Sequence, residues 1–217
     1  MYKSCIFDLD GTIIDTIQSI THSISLTMNQ LGFPPIDEAH TKLFVGDGFK
    51  KLVERALLYS GDSELTHFEE ALQLYEEFFE DNCLYHIKAY DGMQDLLTFL
   101  KGKGIKIGVL TNKNHERAME CVNAVYGEGF FDQIIGEGNG INVKPDPSGA
   151  LLMARRFSLP VSQCLYFGDT NTDMKTGKNA LMDTVGVTWG FRKREELEAL
   201  NPKYIISHPD EIRHVFE

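Results

Sequence analysis

The sequence lacks three features that would each place it in a special class of protein. No apolar run approaches the roughly 18 to 20 residues of a membrane span, and no basic segment followed by a long apolar stretch marks a secretion signal. Cys5, Cys83, Cys121 and Cys164 lie far apart, with no two at metal-ligand spacing. We therefore expect a cytoplasmic protein without membrane contact, whose cysteines are small buried apolar residues rather than zinc ligands or disulfide partners.

Positive charge is also scarce. The 21 lysines and arginines are outnumbered by 32 aspartates and glutamates, and the net charge is −11. Neutralising a nucleic-acid backbone needs a basic face, so we expect no nucleic-acid partner. The one basic cluster, Arg192-Lys193-Arg194, is followed directly by two glutamates, and we interpret it as a solvated helix start.

The apolar residues change their spacing along the chain. Between residues 16 and 83 they recur at helical intervals, which predicts an all-helical segment. From Tyr90 onward the pattern predicts alternating strands and helices. We predict strands at 105–110, 133–135, 164–167, 184–187 and 204–206, and helices at about 113–125, 148–157, 172–180 and 193–200.

Strands separated by helices of this length favour right-handed crossovers and a mainly parallel sheet. The first apolar run, which ends at Phe7, belongs to the same sheet. The predicted fold class is therefore α/β, with a doubly wound, Rossmann-like parallel sheet. Residues 1–15 and 84–217 are expected to form this core, and residues 16–83 a smaller, all-helical domain inserted into it.

Polar residues collect where the predicted strands end, and ligand sites of doubly wound sheets lie beyond those ends. These residues are Asp8, Asp10, Thr111, Asn112, Asp169 and Asp173, with Lys144 close enough to join them. Carboxylates brought together repel one another unless a cation neutralises them. Mg²⁺ prefers oxygen ligands and often binds a substrate phosphate as well. With a threonine and a lysine to bind phosphoryl oxygens, the sequence predicts a magnesium site for a phosphate ester.

In chain order these residues resemble the four motifs of the haloacid dehalogenase superfamily, and the resemblance covers nearly the whole chain. The motifs are Asp8-Leu9-Asp10-Gly11-Thr12, then Thr111, then Lys144, then Gly168-Asp169 with Asp173. The second acid, Asp10, is typical of the phosphatases in this superfamily, since dehalogenases of this type lack it.

The resemblance implies a role for each of these residues. Asp8 would be the nucleophile that forms an aspartyl phosphate, and Asp10 the acid and base that serves the leaving group and then water. Mg²⁺ would be held by Asp8, by the backbone carbonyl of Asp10, and by Asp169, with Asp173 helping through water. Thr111, Asn112 and Lys144 would bind the phosphoryl oxygens.

The helical segment directly after the first motif resembles the alpha-helical cap of this superfamily, which closes over the site and selects the substrate. Residues 45–57 are similar to the glycine-bounded loop and helix of phosphoglycolate phosphatases. Candidate substrate residues in the cap are Gly48, Lys50 and Arg55. Arg55 could bind a substrate carboxylate, or pair with Glu54 or Asp62 on the helix surface.

The predicted function is magnesium-dependent hydrolysis of a small phosphorylated metabolite, and the leading substrate is 2-phosphoglycolate. The protein is expected to be a monomer or a homodimer. Enzymatic alternatives are a broad sugar-phosphate or nucleotide phosphatase, a pyrophosphatase and a phosphomutase. A different class is a silent metabolite-binding module on the same fold. Asp8 and Asp10 argue against that class, since a pure binder needs neither a nucleophile nor an acid.

Overall fold

Six strands lie side by side in one sheet, and each pairs in parallel with its neighbours. The computed structural model describes residues 1–138 and 140–217. The strands are β1 Ser4–Phe7, β2 Ile14–Asp15, β3 Lys88–Ala89, β4 Lys106–Asn114, β5 Gln133–Glu137, β6 Cys164–Gly168, β7 Asp183–Val187 and β8 Tyr204–Ile206. All but β2 and β3 belong to this sheet, in the order β5-β4-β1-β6-β7-β8. The predicted α/β fold is confirmed.

Helices connect the successive strands of the sheet. The α-helices are α1 Ile17–Gln30, α2 Glu38–Phe44, α3 Phe49–Tyr59, α4 Phe68–Asn82, α5 Met93–Gly102, α6 His115–Tyr126, α7 Ser148–Arg156, α8 Asn171–Asn179 and α9 Arg194–Glu198, and 3₁₀ segments cover Val161–Gln163 and Pro209–Phe216. Their apolar residues recur at helical spacing, so that α5, for example, buries Met93, Leu96, Leu97 and Leu100. Within the described residues, no helix is long and apolar enough to cross a membrane.

The central strand β1 is buried along its whole length, as expected for a strand covered on both faces. It lies between β4 and β6, and Phe7 is in register with Val109 and with Phe167. The chain therefore leaves these three strands at one edge of the sheet. Residues that follow β1 and β6, and the last residues of β4, meet at that edge.

The helices α1 to α4 form a block between β2 and β3. These two short strands pair antiparallel, with Ile14 opposite Ala89 and Asp15 opposite Lys88. The ribbon was not predicted, because two residues are too few to show an alternating pattern. It holds together the two connections between the helical block and the sheet. The division into a core of 1–15 with 84–217 and a cap of 16–83 stays a prediction.

The end of β4 differs from the sequence-based expectation. The strand continues to Asn114, and α6 begins at His115 rather than near residue 113. Asn114 caps α6, because its side-chain oxygen accepts hydrogen bonds from the amides of Glu116 (2.9 Å) and Arg117 (3.3 Å). Lys113 therefore lies on the strand and not in the first turn of the helix.

Arg192 connects the loop after β7 to the helical block. Its guanidinium donates to the carbonyl of Lys42, and also to those of Leu43 (3.3 Å) and Val45 (2.7 Å). These carbonyls end α2, where the helix leaves acceptors without partners. The interpretation of Arg192 as part of a solvated helix start is therefore wrong, since its side chain docks the end of α2 onto the core.

All four cysteines are buried and unpaired by disulfides. The prediction that they behave as small core residues is confirmed for these positions.

Candidate active site

Three aspartates meet at the edge of the sheet where β1 and β6 end. Asp8 follows β1, Asp169 follows β6, and Asp173 lies in the first turn of α8. All three are buried, and one carboxylate oxygen from each lies within 4.8 Å of the other two. We call these residues the acidic cluster. The structure thus brings together three of the four predicted metal ligands through their side chains.

A capping box sets the position of Asp173. The hydroxyl of Thr170 accepts a hydrogen bond from the amide of Asp173 at 3.3 Å. In return, the Asp173 carboxylate accepts hydrogen bonds from the amide (3.0 Å) and hydroxyl (2.6 Å) of Thr170. This reciprocal pairing starts α8 and turns Asp173 toward the strand ends.

Asp169 is held by two donors and enclosed by two glycines. Its carboxylate accepts hydrogen bonds from the hydroxyl of Thr12 at 3.1 Å and from the amide of Phe191 at 2.7 Å. A Cβ atom added at Gly11 or at Gly190 would overlap the Asp169 side chain. Gly11 also has φ +83°, a conformation that side chains rarely adopt. The glycine of the first motif is therefore required by both backbone shape and close approach.

Burial makes the charges of the acidic cluster costly. Burial and the neighbouring Asp173 raise the pKa of Asp8 to about 7, and Lys144 offsets only part of that rise. Burial, Asp173 and Asp8 likewise raise the pKa of Asp169 well above its ordinary value. The folded protein therefore favours protonation of Asp8 and Asp169 unless another positive charge is present.

The donor set fits a divalent cation. Asp10 pairs with Lys113, and Asp8 and Asp173 pair with Lys144. Asp169 is the fourth aspartate of the site, so four carboxylates are matched by two ammonium groups. With all four ionised, two negative charges remain uncompensated. A hard ion with charge +2 and a preference for carboxylate oxygens would balance them. Asp8, Asp169 and Asp173 are the side chains that would hold Mg²⁺.

Binding of a divalent cation at the acidic cluster, with Mg²⁺ as the predicted ion, is expected to raise the thermal stability of the protein. At free Mg²⁺ about 100 times its Kd, linkage gives about 2.7 kcal/mol, or roughly 5 to 10 °C in Tm for a chain of this size. Asp169→Asn removes one charge from the acidic cluster and should lose most of this rise, whereas the exposed Asp91→Asn should keep it. Differential scanning fluorimetry with Mg²⁺ or with EDTA measures both shifts. An equal rise in the Asp169→Asn variant would contradict a magnesium site at the cluster.

Lys144 joins two members of the acidic cluster. Its ammonium lies 2.6 Å from Asp8 Oδ1 and 2.7 Å from Asp173 Oδ1, and its side chain is 4 % exposed. Asn112 holds the backbone of Lys144 in a two-point contact, accepting from its amide at 2.7 Å and donating to its carbonyl at 3.1 Å. The predicted phosphate ligand Asn112 thus uses its side-chain amide to place Lys144. Its role as a phosphate ligand stays a prediction.

Asp10 faces a different set of partners from the cluster. Its Oδ1 accepts hydrogen bonds from the Thr16 hydroxyl at 2.7 Å and from the Lys113 ammonium at 2.6 Å. Burial opposes the charge of Lys113, but the attraction of Asp10 outweighs it and the pKa of Lys113 is raised. Lys113 was not predicted as a site residue, because the sequence pattern placed residue 113 at a helix start.

A cavity of about 300 Å³ lies between the strand ends and the helical block. Asp8, Asp10, Thr111, Asn112, Lys113 and Lys144 line it from the sheet, and Phe49, Leu52, Tyr75 and Phe79 line it from the helices. The two catalytic candidates and the three phosphate candidates therefore open onto one space. The lining also includes Glu76, Glu80, Glu116 and Arg117. The cavity therefore combines apolar and aromatic walls with charged groups, as many small-molecule sites do.

The candidate substrate residues of the cap are not all brought to this cavity. Gly48 lines it, but Lys50 and Arg55 are not among its lining residues. Arg55 instead donates to the carbonyl of Phe44 at 2.6 Å and pairs with Asp47, a partner that the sequence did not suggest. Asp47 in turn accepts a hydrogen bond from Thr172. Arg55 therefore helps to dock the loop before α3 onto α8.

A family model described as haloacid dehalogenase-like hydrolase matches residues 5–187. A phosphoglycolate phosphatase of Pseudomonas putida is 29% identical over 203 residues, which are 92% of this chain and 74% of that protein. A phosphoglycolate phosphatase of Neisseria meningitidis is 30% identical over 211 residues, which are 95% of this chain and 90% of that protein.

The fold has a close counterpart among solved structures. A protein from Lactobacillus delbrueckii subsp. bulgaricus, provisionally assigned as a phosphoglycolate phosphatase, superposes with a TM-score of 0.91. It is 28% identical in sequence, and the superposition covers 99% of this chain and 98% of that one. The helical block and the sheet are thus both present in that structure.

Proposed function

This chain belongs to the haloacid dehalogenase-like hydrolase family and is a phosphatase, and we propose that it hydrolyses a small phosphomonoester through an aspartyl phosphate on Asp8. One observation carries this proposal. Asp8 and Asp10 line the same cavity, yet Asp8 pairs with Lys144 and Asp10 pairs with Lys113. Two carboxylates in separate environments can take the separate roles of nucleophile and acid.

In the first step an oxygen of Asp8 attacks phosphorus while the bond from phosphorus to the ester oxygen breaks. Among the described residues, Oδ1 of Asp8 accepts from Lys144 and no hydrogen bond reaches Oδ2, which leaves Oδ2 available for the attack. Asp10, which must enter this step protonated rather than as the carboxylate paired with Lys113, gives its proton to the departing alkoxide, which would otherwise leave poorly. The products of this step are the free alcohol and a phosphoryl group on Asp8.

In the second step Asp10, now ionised, accepts a proton from a water molecule that attacks the same phosphorus. The bond between phosphorus and Asp8 breaks, and inorganic phosphate leaves with Asp8 restored. Lys144 fixes Asp8 through both steps, and Thr111 lines the cavity beside it. Mg²⁺ bound at the acidic cluster would supply charge neutralisation between the nucleophile and the anionic phosphoryl group.

The cavity favours a small substrate, and we take 2-phosphoglycolate as the leading one. A volume of about 300 Å³ lies at the lower end of the range for ligand pockets, which favours a two-carbon ester over a nucleotide. The relatives from Pseudomonas putida and Neisseria meningitidis that are named phosphoglycolate phosphatase support the same substrate.

A substrate panel tests this proposal. Phosphate release is measured with and without Mg²⁺ from 2-phosphoglycolate, ethyl phosphate, glucose 6-phosphate, AMP and pyrophosphate. We expect magnesium-dependent release, with kcat/KM for 2-phosphoglycolate at least about tenfold above the rest, since one charge-assisted hydrogen bond is worth about 1.5 to 3 kcal/mol. A flat profile would favour a generalist phosphatase. Interconversion of glucose phosphates without phosphate release would favour a mutase.

A further inference from the structure

Lys113 is a buried cation at the boundary between the sheet and the helical block. Its side chain is 5 % exposed, and its ammonium lies 2.6 Å from Asp10 Oδ1 and 4.8 Å from the centre of the Phe79 ring on α4. We propose that Lys113 binds the carboxylate of the substrate. It thereby selects phosphate esters in which a single carbon separates the ester oxygen from a carboxylate. This proposal rests on the proposed function.

The position of Lys113 follows from the extension of β4. Because the strand continues to Asn114, the backbone of Lys113 is still extended. The amide of Lys113 donates a hydrogen bond to the hydroxyl of Thr111 at 3.1 Å. Phe79 lies against the ammonium, and Tyr75 stacks on Phe79 with 5.4 Å between the ring centres. The charge is thus held at a defined place by the aromatic wall of the cavity.

The distance to Asp10 indicates which part of a substrate would reach Lys113. Asp10 serves the ester oxygen of the leaving group, so that oxygen must lie within hydrogen-bonding distance of the Asp10 carboxyl. In 2-phosphoglycolate a single carbon separates the ester oxygen from the carboxylate. A carboxylate at that spacing falls beside the donors that already contact Asp10, which are the Thr16 hydroxyl and the Lys113 ammonium. Of the two, Lys113 carries a positive charge and lines the cavity.

Among the described residues, the other two cations that line the cavity each pair with at least two carboxylates. Lys144 pairs with two carboxylates of the acidic cluster, and Arg117 pairs with Glu120 and, at longer distance, with Glu80 and Glu116. Arg55 donates a hydrogen bond to Asp47 and is not among the residues that line the cavity. Among the described residues, Lys113 is therefore the lining cation that is buried and pairs with one carboxylate. A buried ammonium placed for an anion discriminates against an analogue that lacks the anion.

The test compares two esters in variants of Lys113. Lys113→Met removes the charge at similar length, and Lys113→Gln removes the charge but can still donate to Asp10. We expect kcat/KM for 2-phosphoglycolate to fall by about 10 to 100-fold in both, as for the loss of one charge-assisted hydrogen bond. For ethyl phosphate, which has no carboxylate, kcat/KM should fall only as far as Lys113 acts through Asp10, so we expect the ratio of kcat/KM for 2-phosphoglycolate to that for ethyl phosphate to drop by about tenfold or more. The exposed Lys51→Met is the matched control.

The outcomes separate this proposal from the one on which it rests. If the wild type does not prefer 2-phosphoglycolate over ethyl phosphate, the substrate assignment fails and the role of Lys113 fails with it. If the wild type has the preference and both Lys113 variants keep it, only the role of Lys113 is overturned. Equal losses with both esters would also overturn it, because Lys113 would then act through Asp10 alone. The melting temperature of each variant, compared with that of Lys51→Met, reports that it is folded.

Discussion

Replacing Asp8 by asparagine is expected to lower kcat for phosphate release by about 10⁴-fold or more, the scale found when a nucleophile is removed from an enzyme that uses covalent catalysis. The amide has nearly the size of the carboxylate but does not attack phosphorus. Asp8 lines the cavity and one of its oxygens accepts a hydrogen bond from Lys144. Asp169 and Asp173 are not among the lining residues, so neither can replace Asp8 as the nucleophile. Initial rates with saturating 2-phosphoglycolate and Mg²⁺ measure the loss.

The fold should survive this change, which keeps the experiment interpretable. Folding raises the pKa of Asp8 from its ordinary value to about 7. Ionisation of Asp8 therefore destabilises the folded protein as the pH rises between those two values. The asparagine carries no charge, and Lys144 keeps Asp173 as a partner. We expect the metal-free variant to melt no lower than the wild type at pH 8. Activity comparable to that of the surface control Asp91→Asn would contradict the role of Asp8.

Replacing Asp10 by asparagine is expected to have an effect that depends on the leaving group. With an alkyl ester, loss of a general acid lowers the rate by about 10² to 10⁴-fold. With p-nitrophenyl phosphate, whose phenolate leaves without a proton, formation of the aspartyl phosphate should be nearly unaffected. Asp10 is bonded to Thr16 and Lys113 rather than to the acidic cluster, so the variant should retain the Mg²⁺-induced rise in Tm.

Pre-steady-state kinetics with each of the two esters in excess over the enzyme separate the roles of Asp10. The first release of p-nitrophenolate should be fast and the second step slow, since water attacks the intermediate without its base. A burst of one equivalent of phenolate followed by slow turnover is the expected trace. Equal losses with both esters, and no burst, would show that Asp10 serves the structure of the site rather than proton transfer.

Much of the fold was predictable because its rules are local. A strand that is apolar throughout, such as Ser4–Phe7, belongs in the interior of a parallel sheet, and the spacing of the later strands requires helical crossovers. The same rule places Asp8 and Asp169 together, since both follow strands that are neighbours in the sheet. The meeting of Asp8 with Asp169 could therefore be predicted from the strand pattern, whereas Asp173 on α8 and Lys144 before α7 are indicated by the order of the superfamily motifs.

The parts that could not be predicted depend on long-range contacts of side chains. Arg192 donates hydrogen bonds to backbone carbonyls at the end of α2, about 150 residues earlier in the chain. No periodicity in the sequence predicts that contact. The sequence pattern predicts Lys113 at a helix start because it does not identify Asn114 as the residue that caps α6. The strand continues four residues beyond its predicted end at 110 and includes Lys113. Arg55 had acidic neighbours in sequence, yet its partner is Asp47, which the loop before α3 turns toward it.

Whether Asp8 carries the phosphoryl group during turnover is measured most directly by trapping it. The Asp10→Asn variant is mixed with p-nitrophenyl phosphate and Mg²⁺, quenched in acid within the burst, and analysed by intact mass and by peptide mapping. The predicted result is the mass of one added phosphoryl group on the peptide that contains Asp8, absent when Asp8→Asn is introduced as well. Phenolate release with no phosphoryl group on the protein, or with the group on another residue, would contradict the mechanism.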